Sequence, residues 1–212
     1  MSTARSKNGI VLGLVGPVCA GKSQVAAQLR ALGAEIYEAD AIVRGLYDHA
    51  DVKQSVRELF GNGVIDAKGS INRKAIADRV FQSHEGPELL RKLTEGIIFP
   101  RTGVVIRARI EQFRASAGPR DVLVVDAPTL FEAGRADWCD QILFVSAPTE
   151  RRQDWAASRG WSADDLTRRD AAMIPESEKR RRANHVIENI GSPADLNAAV
   201  ERVWNSIRAE NT

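Results

Sequence analysis

The chain has 212 residues, 43% of them apolar and 27% charged, with a net charge of +2. That length holds one generous domain or a domain carrying insertions, and the composition excludes a disordered or fibrous chain. A charge so near neutrality gives no argument for nucleic acid, and no apolar run reaches the roughly 18–20 residues of a membrane span.

Gly9–Val15 (GIVLGLV) is a short apolar run ending at Gly16, which suits a buried parallel strand. Ser23–Leu32 follows as a helix, with Val25, Leu29 and Leu32 on one face and Gly33 as its stop. Ala34–Ala39 reads as a second strand. From Tyr47 to about Arg120 no strand pattern occurs: Val52, Val56, Leu59 and Phe60 mark one helix, Ile76 and Val80 another, and a longer one follows Pro100. Val122–Val125 (VLVV) and Ile142–Val145 (ILFV) are two further strands. Thr149 to about Arg182 is helical, charged and poor in apolar residues, and His185–Glu188 suits a fifth strand. Ser192-Pro193 opens the last helix, with Asp195 three residues past the cap and Leu196, Val200, Val203, Trp204 and Ile207 as its stripe.

Strands alternating with helices predict an α/β fold, a parallel sheet covered on both faces, interrupted by a helical insertion and followed by a mobile lid. The polar, basic start from Met1 to Asn8 is not expected to be a signal peptide. Cys19 and Cys139, with three histidines, are too few for a disulfide framework or a metal cluster. His49, His84 and His185 are isolated and read as surface or packing residues. The expectation is a soluble, cytoplasmic protein.

Chemistry starts at Gly16. Gly16-Pro17-Val18-Cys19-Ala20-Gly21-Lys22-Ser23 satisfies G-x-x-x-x-G-K-[ST] between a strand and a helix. Glycines let backbone N–H groups turn around phosphate oxygens, and the helix N-terminus adds positive potential. Lys22 reaches the β- and γ-phosphates and the Ser23 hydroxyl ligates Mg²⁺ in such a loop, with Gly16, Cys19, Ala20, Gly21 and Gln24 as further nucleotide contacts. Asp126 ends the VLVV run and suits a carboxylate that holds the metal; the alternative is a strand-end residue capping a turn. Asp40, at another strand end, either accepts the proton of an attacking hydroxyl or caps a helix starting at Ala41.

The segment with Arg151, Arg152, Arg159, Arg168, Arg169 and Lys179-Arg180-Arg181-Arg182 either closes cations over transferring phosphates or is a solvated face, since acidic residues intersperse it. No aromatic stacking pattern accompanies Lys179–Arg182, which disfavours RNA. Cys19 sits near a helix N-terminus, where a thiol pKa can fall, or is simply a small residue the loop tolerates.

These stretches, in order, resemble the dephospho-CoA kinase family from about Ile10 to Trp204. The likeness rests on the phosphate loop, on Leu32-Gly33-Ala34 through Ala39-Asp40 with Ile42 and Arg44, and on Phe60-Gly61 leading to Asp66, Gly69 and Arg73. It continues through Val80-Phe81, Asp126-Ala127-Pro128-Thr129-Leu130-Phe131-Glu132, Ser162 to Arg169, Pro175, Lys179, Ala183, Val186-Ile187 and Asn189 to Ser192. The resemblance implies a P-loop kinase fold with a five-stranded parallel core, spanning 8–46, 104–150 and 183–212. It further implies a helical CoA-binding insertion at 47–103 and a lid at 151–182.

It also implies transfer of the ATP γ-phosphoryl group, with Mg²⁺, to the 3′-hydroxyl of dephospho-CoA, by a monomer or small homo-oligomer without nucleic-acid or membrane partners. Asp40 matches the general base, Lys22 and Arg169 the other catalytic positions, and Asn189 and Gly191 the loop near the adenine. Arg44, Arg73, Asp126, Pro128, Leu130 and Glu132 match the substrate side. The chain departs from the family at Pro17-Val18-Cys19-Ala20, at Glu38, at Phe99 for a histidine, at Trp155 for an arginine and at Met173 for a glutamine. Those changes leave two alternatives open: a paralogous kinase acting on another nucleotide or nucleoside hydroxyl, and a nucleotide-binding regulatory module with little turnover. No Asn-Lys-x-Asp segment supports a GTP switch.

Overall fold

The structure, a computed structural model, describes residues 8–209. The basic start up to Lys7, and the last three residues of the expected 183–212 segment, lie outside the described residues. In chain order the elements are β1 (Ile10–Val15), α1 (Lys22–Ala31), β2 (Glu35–Glu38), α2 (Ala39–Leu46), α3 (Ala50–Phe60), α4 (Arg73–Gln82), α5 (Gly86–Arg91) and α6 (Phe99–Ser116). There follow β3 (Val122–Asp126), β4 (Gln141–Ser146), α7 (Thr149–Ala157), α8 (Ala163–Ala171), α9 (Glu176–Arg182), β5 (His185–Glu188) and α10 (Pro193–Ala209). No helix among the described residues is long and apolar enough to cross a membrane.

The five strands form one parallel sheet in the order β2-β3-β1-β4-β5, as the alternation predicts. Every residue of β1 is buried, as are the first four of β3, because a parallel strand covered on both faces must be apolar at every position. Val25, Ala26 and Leu29 of α1 and Leu196, Val200, Trp204 and Ile207 of α10 pack with Ile10, Leu12 and Leu14 of β1 in a single core. Each buried Val, Leu or Ile among them contributes roughly 1.5–3 kcal/mol. Gly13 sits in mid-strand because a Cβ there would lie 2.6 Å from Leu130 Cδ2 and 3.1 Å from Cys139 Sγ. Burial, and then the nearby Asp140 charge, push the Cys139 thiol up to about 12, so it stays protonated.

Among the boundaries that differ from the sequence pattern, three have a clear physical reason. β2 begins at Glu35, since the Ala34 N–H still bonds to Leu29 O at the exit of α1 (2.9 Å). Its partner α2 starts directly at Ala39, so Asp40 lies in the first helical turn and is neither a strand end nor the cap of a helix starting at Ala41. The helix expected after Pro100 begins at Phe99 and directly continues a π-helical turn, Lys92–Ile98, so Pro100 lies inside a helical run and removes one N–H from its ladder where the π turn has already loosened it.

The chain divides into two compact units. One runs to Glu38 and resumes at Ala108; the other is Ala39–Arg107. The expected 47–103 insertion falls within the second unit and the expected 151–182 lid within the first. The second unit has its own core of Leu46, Val52, Val56, Phe60, Val64, Ile76, Val80, Leu93, Ile97 and Ile98. Asn72 caps α4 by accepting from Ala75 N (3.1 Å), and Arg101 pairs with Asp51 at 2.8 Å.

Candidate active site

The C-terminal end of β1 leads into the Gly16–Ser23 loop, outside the carboxyl edge of a parallel sheet where such folds hold ligands. Two glycines there are obligatory. Gly16 has φ +150, and a Cβ on it would lie 2.1 Å from Val145 O on β4. Gly21 caps α1 at φ +91, and its Cβ would lie 2.3 Å from Asn189 Nδ2. Lys22 arches back over the loop, its ammonium donating to Gly16 O (2.9 Å) and Pro17 O (2.8 Å). A cation is thus held across the same loop whose helix N-terminus already favours anions. Ser23 and Gln24 are exposed at that terminus.

Cys19 is a non-glycine residue at φ +60, a conformation costing of order 1–3 kcal/mol unless the surroundings enforce it. They do. Its side chain is buried with Ala156 of α7 and Leu166 of α8, and Val18, Trp155 and Trp161 pack around that cluster. Cys19 and Ala20 therefore offer a ligand only their backbone.

Asp126 is the last residue of β3, in register with Leu14 two residues before Gly16, so sheet pairing alone sets it beside the loop. It is half-buried, with Oδ1 shielded from solvent. Pro128 and Glu132 follow on the turn beyond. Leu130, expected on the substrate side, is 1% exposed and fills the space over Gly13; its side chain belongs to the core.

Asn189, expected near an adenine, is also buried. Its side chain donates to Ala20 O (3.2 Å) and its backbone to Ser146 O (2.8 Å), so it braces the phosphate loop from behind. Arg151 donates to the carbonyls of both Asn189 (3.0 Å) and Gly191 (2.9 Å). That loop therefore presents Ile190, 62% exposed, between two tethered residues.

The arginine-rich segment is neither a uniform cation cover nor a uniformly solvated face. α8 opens with a reciprocal cap in which Asp165 N donates to Ser162 Oγ (3.1 Å) and Ser162 N to Asp165 Oδ2 (3.0 Å). Hydrogen bonds from Ser162 and then Arg168 hold the Asp165 carboxyl at about 2. Arg169, on the same helix, lies 4.0 Å above the Trp161 ring, a cation–π contact. Arg180 pairs with Glu188 and Arg182 with Glu178 (3.4 Å). Arg152 and Lys179, expected among the covering cations, are instead buried at 5% and 2% exposure in structural pairs.

In the second unit, Asp40 and Arg44 occupy the first and last turns of α2, and Arg73 opens α4; all three are exposed. Tyr47, half-buried nearby, has its hydroxyl pKa raised by burial against the opposing influence of Arg73.

Sequence reasoning missed the braces. Lys179 of α9 pairs with Glu132 Oε1 at 2.6 Å and donates to Pro128 O at 3.1 Å, while Glu132 Oε1 also accepts from Ile174 N (3.0 Å). The one available signal for Arg152 was its i,i+4 spacing to Ala156, the other buried residue of α7. Lys179→Met should lower stability by about 3–5 kcal/mol, because it strands a buried Glu132 carboxylate. For a chain of this size thermal unfolding should shift down by roughly 6–20 °C. A shift under about 2 °C would show that the pair carries little.

Residues 10–195 match the family profile described as dephospho-CoA kinase. A dephospho-CoA kinase from Rhodopirellula baltica is 33% identical over 197 residues, covering 93% of this chain and 90% of that one. A crystal structure from Thermus thermophilus has a TM-score of 0.73 at 32% identity, covering 97% of this chain and 99% of that one. The dephospho-CoA kinase from Campylobacter jejuni, at 19% identity, shares the fold with a TM-score of 0.66 over 95% of this chain and 98% of that one. With the loop, the parallel sheet and a match over most of its length, this chain belongs to the dephospho-CoA kinase family.

Proposed function

We propose that this kinase transfers the γ-phosphoryl group of ATP to the ribose 3′-hydroxyl of dephospho-CoA, giving CoA and ADP in the cytoplasm. The observation that carries the reading is the Gly16–Ser23 loop with the Lys22 ammonium already folded over it and Asp126 set alongside by β3. In the step, the 3′-oxygen bonds to the γ-phosphorus as the bridging P–O bond to the β-phosphate breaks, ADP leaves, and Asp40 takes the hydroxyl proton. Lys22 and the loop amides hold the phosphates, Arg169 neutralises charge on the transferring group, and Arg44 and Arg73 bind phosphates of the acceptor. The α7–α9 segment acts as the lid that excludes water.

Ser23 and Asp126 fit Mg²⁺. One hydroxyl and one carboxylate are hard oxygen donors, and this ion takes few protein ligands while keeping phosphate oxygens and waters. Bound there, Mg²⁺ supplies charge neutralisation at the β- and γ-phosphates.

The test is ATP consumption with Mg²⁺ and dephospho-CoA, with the product identified by mass. A product one phosphoryl group heavier than dephospho-CoA is expected. ATP binding without that product would turn Phe99, Trp155 and Met173 into marks of a different acceptor, to be sought among nucleosides and nucleotides.

A further inference from the structure

Arg152 is an unusual side chain for a helix read as a charged surface. It is 5% exposed, and its guanidinium is divided between two elements far apart in sequence. Nε donates to Val18 O in the phosphate loop at 2.8 Å, and Nη2 donates to both Asp170 oxygens on α8, at 2.7 and 2.5 Å. Glu176, at the start of α9, lies 3.9 Å from Nη1. Pro17 and Asp170 line one cavity with Met173, Ile174 and Lys179, so the arrangement borders open space beside the loop.

The geometry has a direct consequence for the loop. No cis peptide occurs among the described residues, so the Val18–Cys19 peptide is trans. A planar trans peptide carries its C=O and N–H in opposite directions. Holding the Val18 carbonyl on the Arg152 side therefore fixes the Cys19 N–H on the side away from Arg152. A carbonyl swung the other way would set an oxygen against an incoming phosphate. The Cys19 φ of +60 is the backbone cost of this peptide orientation, and Arg152 is the donor that maintains it. The second half of the same guanidinium grips Asp170, the neighbour of Arg169 on α8. One buried cation thus ties the phosphate loop to the helix that carries the lid arginine.

We propose that Arg152 is a positioning residue of the nucleotide site, setting the phosphate-loop peptide through Val18 O and the register of Arg169 through Asp170. The inference rests on the reading of Gly16–Ser23 as the ATP phosphate loop. It predicts that the two halves of the guanidinium are separable. Losing the Val18 bond should weaken ATP, whereas losing the Asp170 pair should slow turnover.

The experiment uses the full chain and three variants: Arg152→Gln, Arg152→Lys and Asp170→Asn. ATP affinity is read by direct titration without acceptor, and kcat and KM by steady-state assay with dephospho-CoA. All readings are made at a temperature where circular dichroism shows each variant folded. Arg152→Gln should weaken ATP binding by about 10- to 100-fold, the equivalent of one charge-assisted hydrogen bond. Asp170→Asn should leave ATP binding within about threefold and lower kcat by about 10-fold or more, a split that general destabilisation does not produce. Arg152→Lys keeps the charge but not the fork that serves both partners at once, and should fall between them; if Arg152→Gln does not fold, it carries the comparison alone with Asp170→Asn.

ATP affinity within about twofold of wild type in the folded Arg152 variants would overturn the proposal. So would equal losses of affinity and kcat in Arg152 and Asp170 variants. Absence of turnover on dephospho-CoA by the wild type would count against the acceptor assigned above, while the ATP titrations would still decide the role of Arg152.

Discussion

Asp40→Asn is expected to lower kcat by about 10²- to 10⁴-fold, the range contributed by a positioned general base, while ATP affinity changes by less than about twofold. The asymmetry follows from where the residue sits. Asp40 lies exposed in the first turn of α2 and is not part of the phosphate loop, and in the proposed step it meets the acceptor hydroxyl alone. Asparagine has nearly the same shape and keeps the helix, but its amide cannot accept the proton that the 3′-hydroxyl must lose. The loss should therefore fall on the chemical step, visible in single-turnover experiments with ATP already bound. Turnover close to wild type would remove Asp40 from the mechanism. A large loss of ATP affinity would instead assign the carboxylate to the nucleotide side.

Lys22→Ala should reduce kcat by about 10³-fold, about 4 kcal/mol of transition-state stabilisation, and weaken ATP binding by about 10- to 100-fold. Both parameters move because the ammonium meets phosphate charge in the ground state and meets more of it as the γ-phosphoryl group transfers. The same ammonium bonds Gly16 O and Pro17 O, so it also shapes the loop. Lys22→Arg should not restore activity, because a planar fork cannot repeat two bonds made by a compact, rotatable ammonium. Unchanged affinity and rate in Lys22→Ala would end the reading of this segment as a phosphate loop.

Much of the architecture was legible in the chain itself. The phosphate loop needs only eight contiguous residues between a strand and a helix, and its requirements are local: small residues for the turn, a cation, a hydroxyl. The continuous apolar runs of β1, β3 and β4 announced strands buried on both faces, and the Ser192–Asp195 cap with its apolar stripe announced α10. The placement of Asp126 was half local. Asp126 could be found at the end of its run, but its neighbour Leu14 is supplied by pairing between strands remote in sequence.

What the sequence by itself determined was therefore the strands, most of the helices, the phosphate loop and the resemblance to a kinase family. The tertiary structure alone decided which polar and charged residues serve as braces. Arg152 meets Val18 across 134 residues, Asn189 meets Ala20 across 169, and Lys179 meets Pro128 across 51. Within α7–α9, Arg152 and Lys179 look like their solvated neighbours: only the i,i+4 spacing to Ala156 sets Arg152 apart from Arg151, and no periodicity separates Lys179 from Arg180. Burial separates them, because a charge removed from water is tolerated only where a partner is fixed opposite, and that partner comes from another part of the fold.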